Sequence, residues 1–418
     1  MTRTECPYRL DPSGAHIQRE AATLRARGHA TRVLLPGDIP AWSVTDLGLI
    51  RRLLARPDIS KDAYRHWPAY VEGRIPEGWP LRIWVDARNA LSAYGAEHAR
   101  LRTPLTRAFT ARRVRALAPR IETLTHALLD DMEAAAAAGG SGDADTVDLR
   151  ALLAWRLPLL VVNALLGVPE DMHDDFRDTF DTTFATNLGE DEVRQAGERA
   201  FGLAQELVRR KRLTPADDVT STLVRAHDEG TLTERELVDS LLLLIGAGHE
   251  TTVNLLDTAA VNLLSHPDQL AAAVSGRVGW DQVVEESLRH QAPIATILMR
   301  FPVEDVHDEE TGLTFARGDA LAINFASAGR DGGVHGADAD TFDVTRGTSR
   351  KHVAFGHGVH YCLGAELARL EGRIALPALF TRFPDLALAV PPEELRPLPS
   401  FISNGHQSVP VRLGGGRG

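Results

Sequence analysis

The chain has 418 residues, 44 % of them apolar and 25 % charged, which is the composition of an ordinary folded protein and excludes a fibrous or largely disordered chain. The formal net charge of −11 argues against a general nucleic-acid binder, which would carry the opposite balance. Two cysteines, Cys6 and Cys362, cannot build a disulfide framework, so the chain reads as reduced and cytoplasmic.

The first fourteen residues, MTRTECPYRLDPSG, lack an apolar run, so no signal peptide is expected. Ala30 to Leu35 and Ala41 to Thr45 predict a hairpin around Pro36-Gly37-Asp38. Apolar residues at helical spacing (Val114, Leu117, Ile121, Leu124, Leu128) predict one helix from Ala108 to Glu133, running on through Ala134–Ala138 to Gly139-Gly140. The stretch 139–145, GGSGDAD, reads as a loop inside one domain of residues 1–418. Leu149 to Leu166 predicts a helix closed by Gly167 and Pro169.

Leu237 to Ser265 predicts a long apolar helix of roughly 43 Å, interrupted at Gly246-Ala247-Gly248-His249-Glu250-Thr251-Thr252. Its apolar run Leu241–Ile245 is far below the ~20 residues of a membrane span, so no membrane partner is expected. A second hairpin is predicted between Leu313–Phe315 and Ala320–Ile323, around Arg317-Gly318-Asp319. A last helix is predicted from Leu363 to Phe383. Many helices and a few short strands predict a mainly α chain with small β-sheets, an α+β class, rather than βαβ units.

The loop His352-Val-Ala-Phe355-Gly356-His357-Gly358-Val-His360-Tyr-Cys362-Leu-Gly364 delivers one cysteine to a helix start. Free N–H groups and the positive helix end favour a thiolate there. Gly358 and Gly364 remove side chains on either side of the sulfur, leaving room for something large and flat, and Phe355 can cover the sulfur with its ring. A buried inert cysteine, a thiol hydrolase with His357 or His360 as base, and a zinc site are the competing readings. No hydrolase signature or four-ligand spacing accompanies Cys362.

Phe355-x-x-Gly358-x-His360-x-Cys362-x-Gly364 resembles the haem-binding signature of the cytochrome P450 family of haem-thiolate monooxygenases, of the soluble actinobacterial type. The resemblance covers essentially the whole chain. It implies the triangular fold of that family, with haem b between the long helix and the cysteine-loop helix, and Cys362 as the axial ligand of the iron. On charge and spacing alone, Gly246 to Thr252 reads equally well as a packing kink, with threonines bonded to carbonyls four residues back. Ala247, Gly248, Glu250 and Thr251 resemble the family's A-G-x-[DE]-T segment. That resemblance implies a widened helical groove in which Thr251 hydrogen-bonds dioxygen and Glu250 relays protons. His249 is given no role.

Glu286 and Arg289 resemble the family's E-x-x-R pair, and Arg346 matches the arginine that joins it in a buried scaffold. His98-Ala-Arg-Leu-Arg102, Arg300 and His352 match the family's donors to the haem propionates. Tyr94-Gly95-Ala96-Glu97-His98 departs from the acidic Pro-rich segment the family often has there. From Glu97 to Arg120 there are seven arginines and one acid. This basic patch is either a solvated helix face or a docking surface for an acidic electron donor. The chain has no flavin or dinucleotide fingerprint and no cysteine cluster, so the resemblance implies a separate ferredoxin and ferredoxin reductase fed by NAD(P)H.

Family pocket walls map onto Ile83 to Leu91, onto Leu243, Leu244 and Ala247, onto the segment with Ile294, Ala295 and Ile297, and onto Phe401-Ile402. Their apolar character implies a hydrophobic or amphipathic small molecule, macrolide-, steroid- or other natural-product-like. Hydroxylation is the leading reaction. Oxidative aryl coupling of an aromatic peptide is the alternative, and a haem sensor or carrier without turnover is the rival of another class.

Overall fold

Strands from the first sixty residues share one sheet with strands formed by residues 296–324. A computed structural model of the protein describes residues 6–138, 146–183 and 190–414. The loop expected at 139–145 lies outside the described residues. In the main sheet, β1 (Tyr8–Arg9), β2 (Ala30–Leu35), β3 (Ile39–Val44) and β4 (Ile59–Ser60) join two late strands. A three-stranded sheet uses β5 (Thr146–Asp148) and two strands near the C-terminus. The late strands are β6 (Thr296–Pro302), β7 (Val306–Asp308), β8 (Leu313–Phe315), β9 (Leu321–Asn324), β10 (Ala387–Leu388) and β11 (Pro410–Arg412). The main sheet runs β1-β2-β3-β9-β6-β4.

The first predicted hairpin is present, with Leu35 opposite Ile39 and Ala30 opposite Val44. The second is not. β8 pairs with β7, and β9 pairs parallel with β3 and antiparallel with β6. The expected turn does form, since Asp319 accepts the Ala316 N–H at 3.0 Å. Beyond it Leu321, Ala322 and Ile323 are fully buried, and a run apolar on both faces is satisfied by the middle of a covered sheet, not by a two-stranded hairpin.

The helical body carries the site. α1 (Gly95–Ala108), α2 (Ala111–Ala116) and α3 (Ala118–Ala138) replace the single helix expected from Ala108. Thr110 caps α2 by accepting the Arg113 N–H, and Pro119 sits in the first turn of α3, where its missing N–H costs nothing. The apolar period spans the breaks because all three segments face one core. A π-helical turn, Arg150–Ala154, precedes α4 (Arg156–Leu166), so the expected helix over 149–166 is present with an altered first turn. Gly167 ends it at φ 68°.

The long helix, α5 (Glu234–Leu264), starts in a capping box between Thr233 and Glu236, which satisfies two orphan N–H groups. The helix runs unbroken through Gly246–Thr252, so the expected interruption does not occur. α6 (Trp280–His290) and α7 (Ala365–Arg382) both pack against α5 and against each other, and α4 packs on another side of it. α5 is therefore enclosed by its neighbours along much of its length, and its accessible positions decide what the protein can bind.

Candidate active site

Cys362 is fixed by its backbone before its side chain is considered. Its N–H donates to the Phe355 carbonyl at 2.8 Å, and Tyr361 N–H donates to Gly358 at 3.0 Å. Gly356 and Gly358 hold φ values of 73° and 70°, a left-handed conformation that costs glycine little. At Gly358 a Cβ would lie 2.2 Å from the Leu54 carbonyl oxygen. This glycine therefore serves packing of the loop on the helix Leu47–Ala55 rather than clearance beside the sulfur. Gly364 does flank the sulfur, with a Cβ position 4.0 Å from Sγ, and it caps α7.

Burial pushes the Cys362 thiol up, while the N–H groups of Gly364 and Ala365 and the charges of Arg102 and Arg369 pull it down. The residue nevertheless has accessible surface. The two observations agree when the open face of the sulfur looks into the interior. Phe355 packs its ring under the Arg369 guanidinium, 4.6 Å from the ring centroid.

In the middle of α5 Ala247 is exposed, and Leu242, Leu243, Leu244, Gly246, Gly248, Glu250 and Thr251 keep partial access; among them Leu243, Ala247 and Thr251, spaced i, i+4, i+8, line up as one stripe. The neighbours Leu241, Ile245, His249, Thr252 and Val253 are buried. Thr251 Oγ1 donates to the Ala247 carbonyl at 2.7 Å. Glu250 Oε1 accepts from Ser403 Oγ at 2.5 Å. A Cβ on Gly248 would stand 3.0 Å from Val162 Cγ2, so this glycine lets α4 approach. His249 is fully buried, and its Nε2 lies 2.8 Å from the Trp155 carbonyl. Burial holds its pKa down to about 4, so at neutral pH its neutral ring donates Nε2–H and anchors α5 to the π-turn.

The Glu286–Arg289 pair has no exposed side-chain surface. Arg289 donates to both Glu286 oxygens at 2.7 Å and to the carbonyls of Gly329, Ala339 and Thr341. Arg346 Nε lies 3.6 Å from Glu286 Oε1, and Asp343 N–H donates to the same oxygen at 2.8 Å. The three side chains tie α6 to the segment before the cysteine loop.

His98, Arg102, Arg300 and His360 come together. The His98 and His360 rings are 4.1 Å apart, and Arg102 donates to the Tyr361 carbonyl at 2.5 Å. Lys61, a residue with no role predicted from the sequence, joins them as an enclosed amine bonded to the Leu298 carbonyl at 3.3 Å. Burial lowers Arg300 to about 9 and His98 to about 4, and lowers His360 and Lys61 as well. Among the described residues no carboxylate lies within ion-pair distance of these five side chains, and His98 Nε2 is buried without a partner.

His352 stands apart and corrects the expectation placed on it. Its Nε2 meets Glu285 Oε2 at 3.0 Å, and its Nδ1 accepts the Ala354 N–H at 3.0 Å. Both nitrogens are used within the protein, which makes His352 a tie between α6 and the cysteine loop, not a donor to a bound group. Glu285 gave no local signal, because its partners Arg369 and His352 come from far along the chain.

The expected pocket walls divide. Leu91, Leu243, Leu244, Ile294 and Ile297 keep partial access, and Ala247 is exposed. Ala295 faces a small core with Ala21 and Ala326. Phe401 and Ile402 pack into the core around Trp67, Trp79 and Phe301. These three are structural positions rather than open walls. The Ile83 side chain lies outside the described residues.

A family model described as Cytochrome P450 matches residues 280–398. The 2-hydroxy-5-methyl-1-naphthoate 7-hydroxylase of Streptomyces carzinostaticus is 42 % identical over 98 % of this chain and 98 % of its own length. The cytochrome P450 monooxygenase PikC of Streptomyces venezuelae is 39 % identical over 95 % of this chain and 91 % of its own. The solved structure of CYP154A1 from Streptomyces coelicolor A3(2) superposes with a TM-score of 0.86 at 46 % identity, covering 97 % of this chain and 100 % of that one. The chain belongs to the cytochrome P450 family. Its fold is that family's fold and its class that of a cytochrome P450 monooxygenase, with the haem, dioxygen, small-molecule substrates and redox partners on which the family depends. None of the described helices is long and apolar enough to cross a membrane.

Proposed function

We propose that the protein hydroxylates a hydrophobic or amphipathic natural-product-like small molecule, macrolide-, steroid- or arene-like, with b-type haem and electrons from a separate ferredoxin and NAD(P)H-dependent reductase. The observation that carries this reading is the accessible stretch of α5 that contains Leu243, Ala247 and Thr251, in a chain whose Cys362 keeps accessible surface at the start of α7. The relatives agree, since one is named a naphthoate hydroxylase and another 6-deoxyerythronolide B hydroxylase.

The residues fit a haem. Three buried groups (Lys61, His98, Arg300) and two part-buried ones (Arg102, His360), all cationic or imidazole and without a carboxylate, form a costly cluster, and the two haem propionates are anions of the chemistry that would relieve it. His98, Arg102, Arg300 and His360 would hold them, and Cys362 would hold the iron. Bound haem supplies the reductive activation of dioxygen that ends in oxygen insertion into a C–H bond. The protein does the rest. The Gly364 and Ala365 N–H groups reduce the cost of a thiolate at Cys362, against the burial that raises it. Thr251 holds a hydroxyl proton on the open stripe. The Glu250 carboxyl, one residue away, exchanges protons as a general acid–base. Leu243, Leu244 and Ala247 offer apolar contact that orients a substrate and excludes water.

The test is the absorption spectrum of the dithionite-reduced protein under carbon monoxide, followed by spin-state titration with 2-hydroxy-5-methyl-1-naphthoate, a macrolide aglycone and a steroid. A strongly red-shifted Soret band in the native chain, lost in Cys362→Ser, is expected. A band at the position of histidine-ligated haem would overturn the assignment.

A further inference from the structure

We infer that Ser403 is a positioning residue for Glu250, and that the C-terminal segment 403–406 exists in this chain to hold it there. The inference rests on the proton role of Glu250 proposed above and adds a partner 153 residues away in sequence.

Glu250, Asn254 and Asp257 stand at i, i+4 and i+7 of α5 and so share one face. Asn254 and Asp257 are fully buried. Segment 403–406 lies along that face. His406 N–H donates to Asp257 Oδ2 at 3.2 Å, and the His406 ring nitrogen Nδ1 lies 3.3 Å from Oδ1. Arg150, from the π-turn, pairs with Asp257 and donates to Asn254 Oδ1 at 3.1 Å. Gly405 is required by this closeness, because a Cβ there would lie 2.4 Å from Asn254 Oδ1.

The other side of the segment is clamped as firmly. Asn404 N–H donates to the Pro293 carbonyl at 2.9 Å, and Asn404 Nδ2 donates to Ala292 at 3.0 Å. Ser403 bridges to Ile294 and donates its own N–H to Ser400 Oγ at 3.0 Å. With the backbone fixed on both flanks, the hydroxyl of Ser403 has a set origin. It donates to Glu250 Oε1 at 2.5 Å, a separation typical of a charge-assisted bond to a carboxylate. Ser403 is 8 % exposed, so water competes poorly for that bond.

A glutamate in the middle of a helix has three rotatable side-chain bonds and several staggered states. General acid–base work requires the carboxyl within about 2.6–3.2 Å of the group it serves. Ser403 selects one state and leaves Oε2 to exchange protons. A chain without this hydroxyl keeps the carboxyl but not its aim.

The experiment uses the haem-loaded full chain with a surrogate ferredoxin and reductase, measuring peroxide released per dioxygen consumed without added organic substrate, together with the solvent deuterium isotope effect on dioxygen consumption. Glu250→Gln, Ser403→Ala and Ser403→Thr are compared, each first shown to keep the red-shifted carbonyl band. Ser403→Ala is expected to raise the peroxide share and the isotope effect in the direction of Glu250→Gln, and Ser403→Thr to restore both. If Glu250→Gln leaks and Ser403→Ala behaves as the native chain, the positioning role is wrong while Glu250 keeps its own. If Glu250→Gln does not leak either, the proton role of Glu250 falls and this inference falls with it.

Discussion

His352 meets one oxygen of Glu285 at 3.0 Å while Arg369 donates to the other at 2.6 Å. A single carboxylate on α6 thus grips the start of the cysteine loop and the helix that follows it. Glu285 itself is 1 % exposed, so truncating it strands a buried imidazole and a half-buried guanidinium. Glu285→Ala is expected to cost about 3 kcal/mol, in the range for breaking a buried pair, and to lower haem retention. Thermal unfolding and the ratio of Soret to protein absorbance measure both effects.

The same contact makes the loop acid-labile. Burial alone would raise the Glu285 carboxyl, but His352 and Arg369 outweigh it and hold it at about 2, against about 4.3 in an unfolded chain. Its stabilisation is complete above about pH 4.5 and fades toward 2. Burial lowers the His352 pKa below its ordinary value, so that contribution is complete above about pH 6.5 and shrinks as pH falls. Stability should therefore decline from pH 6.5 downward and more steeply below 4.5. Urea midpoints across pH 3–8 measure the decline, and Glu285→Gln should flatten its acid limb. An unchanged limb would place the acid sensitivity elsewhere.

Two glycines of one motif should respond differently to alanine. Gly358→Ala forces a left-handed φ of 70° on a residue with a Cβ and drives that Cβ to 2.2 Å from the Leu54 carbonyl. Strain and overpacking of about 1–3 kcal/mol each should leave little haem-loaded protein. Gly364→Ala places its Cβ in ordinary contact with the sulfur and should fold, with a melting temperature within a few degrees of the native chain and a displaced Soret band. Equal losses in the two variants would refute the packing account of Gly358.

Arg300 should matter in opposite ways with and without cofactor. Its guanidinium is buried, donates only to the neighbouring Met299 carbonyl among the described residues, and is lowered to about 9 by burial. Replacing a buried charge that has no counter-ion by an apolar side chain removes a desolvation cost. Arg300→Leu apoprotein should therefore melt no lower than native apoprotein, while the loaded variant should release haem faster, as transfer to apomyoglobin would show. A variant that loses stability in both states would contradict the anion-holding role.

Thr251→Ala separates folding from proton handling. Among the described residues the hydroxyl bonds only the Ala247 carbonyl of its own helix, so its removal should cost no more than about 1 kcal/mol. Haem and ligand binding should persist while peroxide rises per NAD(P)H consumed. Unchanged coupling would dismiss the role given to Thr251.

What could be read from the sequence was what lies close together in it. The cysteine loop, the Glu286–Arg289 pair and the Gly246–Thr252 segment of α5 are each built within about ten residues, so each could be matched to a family motif in the sequence, although spacing alone left the last two open. The α1–α3 breaks were hidden because all three helices face one core and keep one apolar period across Thr110 and Pro119. β9 was misassigned because a run buried on both faces looks the same whichever neighbours cover it. His352 was misread because order along the loop does not say where an imidazole points. Lys61 and Ser403 could be given no role from the sequence, since their hydrogen-bond partners, the Leu298 carbonyl and the Glu250 carboxylate, lie more than a hundred positions away.

The parallel pairing of β3 with β9 places Trp42 beside Leu321, and this sets a timetable for synthesis. The N-terminal hairpin reaches the ribosome exit early but has no partner along one edge until more than two thirds of the chain has been made. During that interval it is an open strand edge of the kind that invites pairing with another chain. The cysteine loop is made later still. Such long-range closure is slow, so a nascent chain should depend on chaperones until the sheet is complete, and a C-terminal truncation before Leu321 should aggregate rather than leave a folded N-terminal fragment.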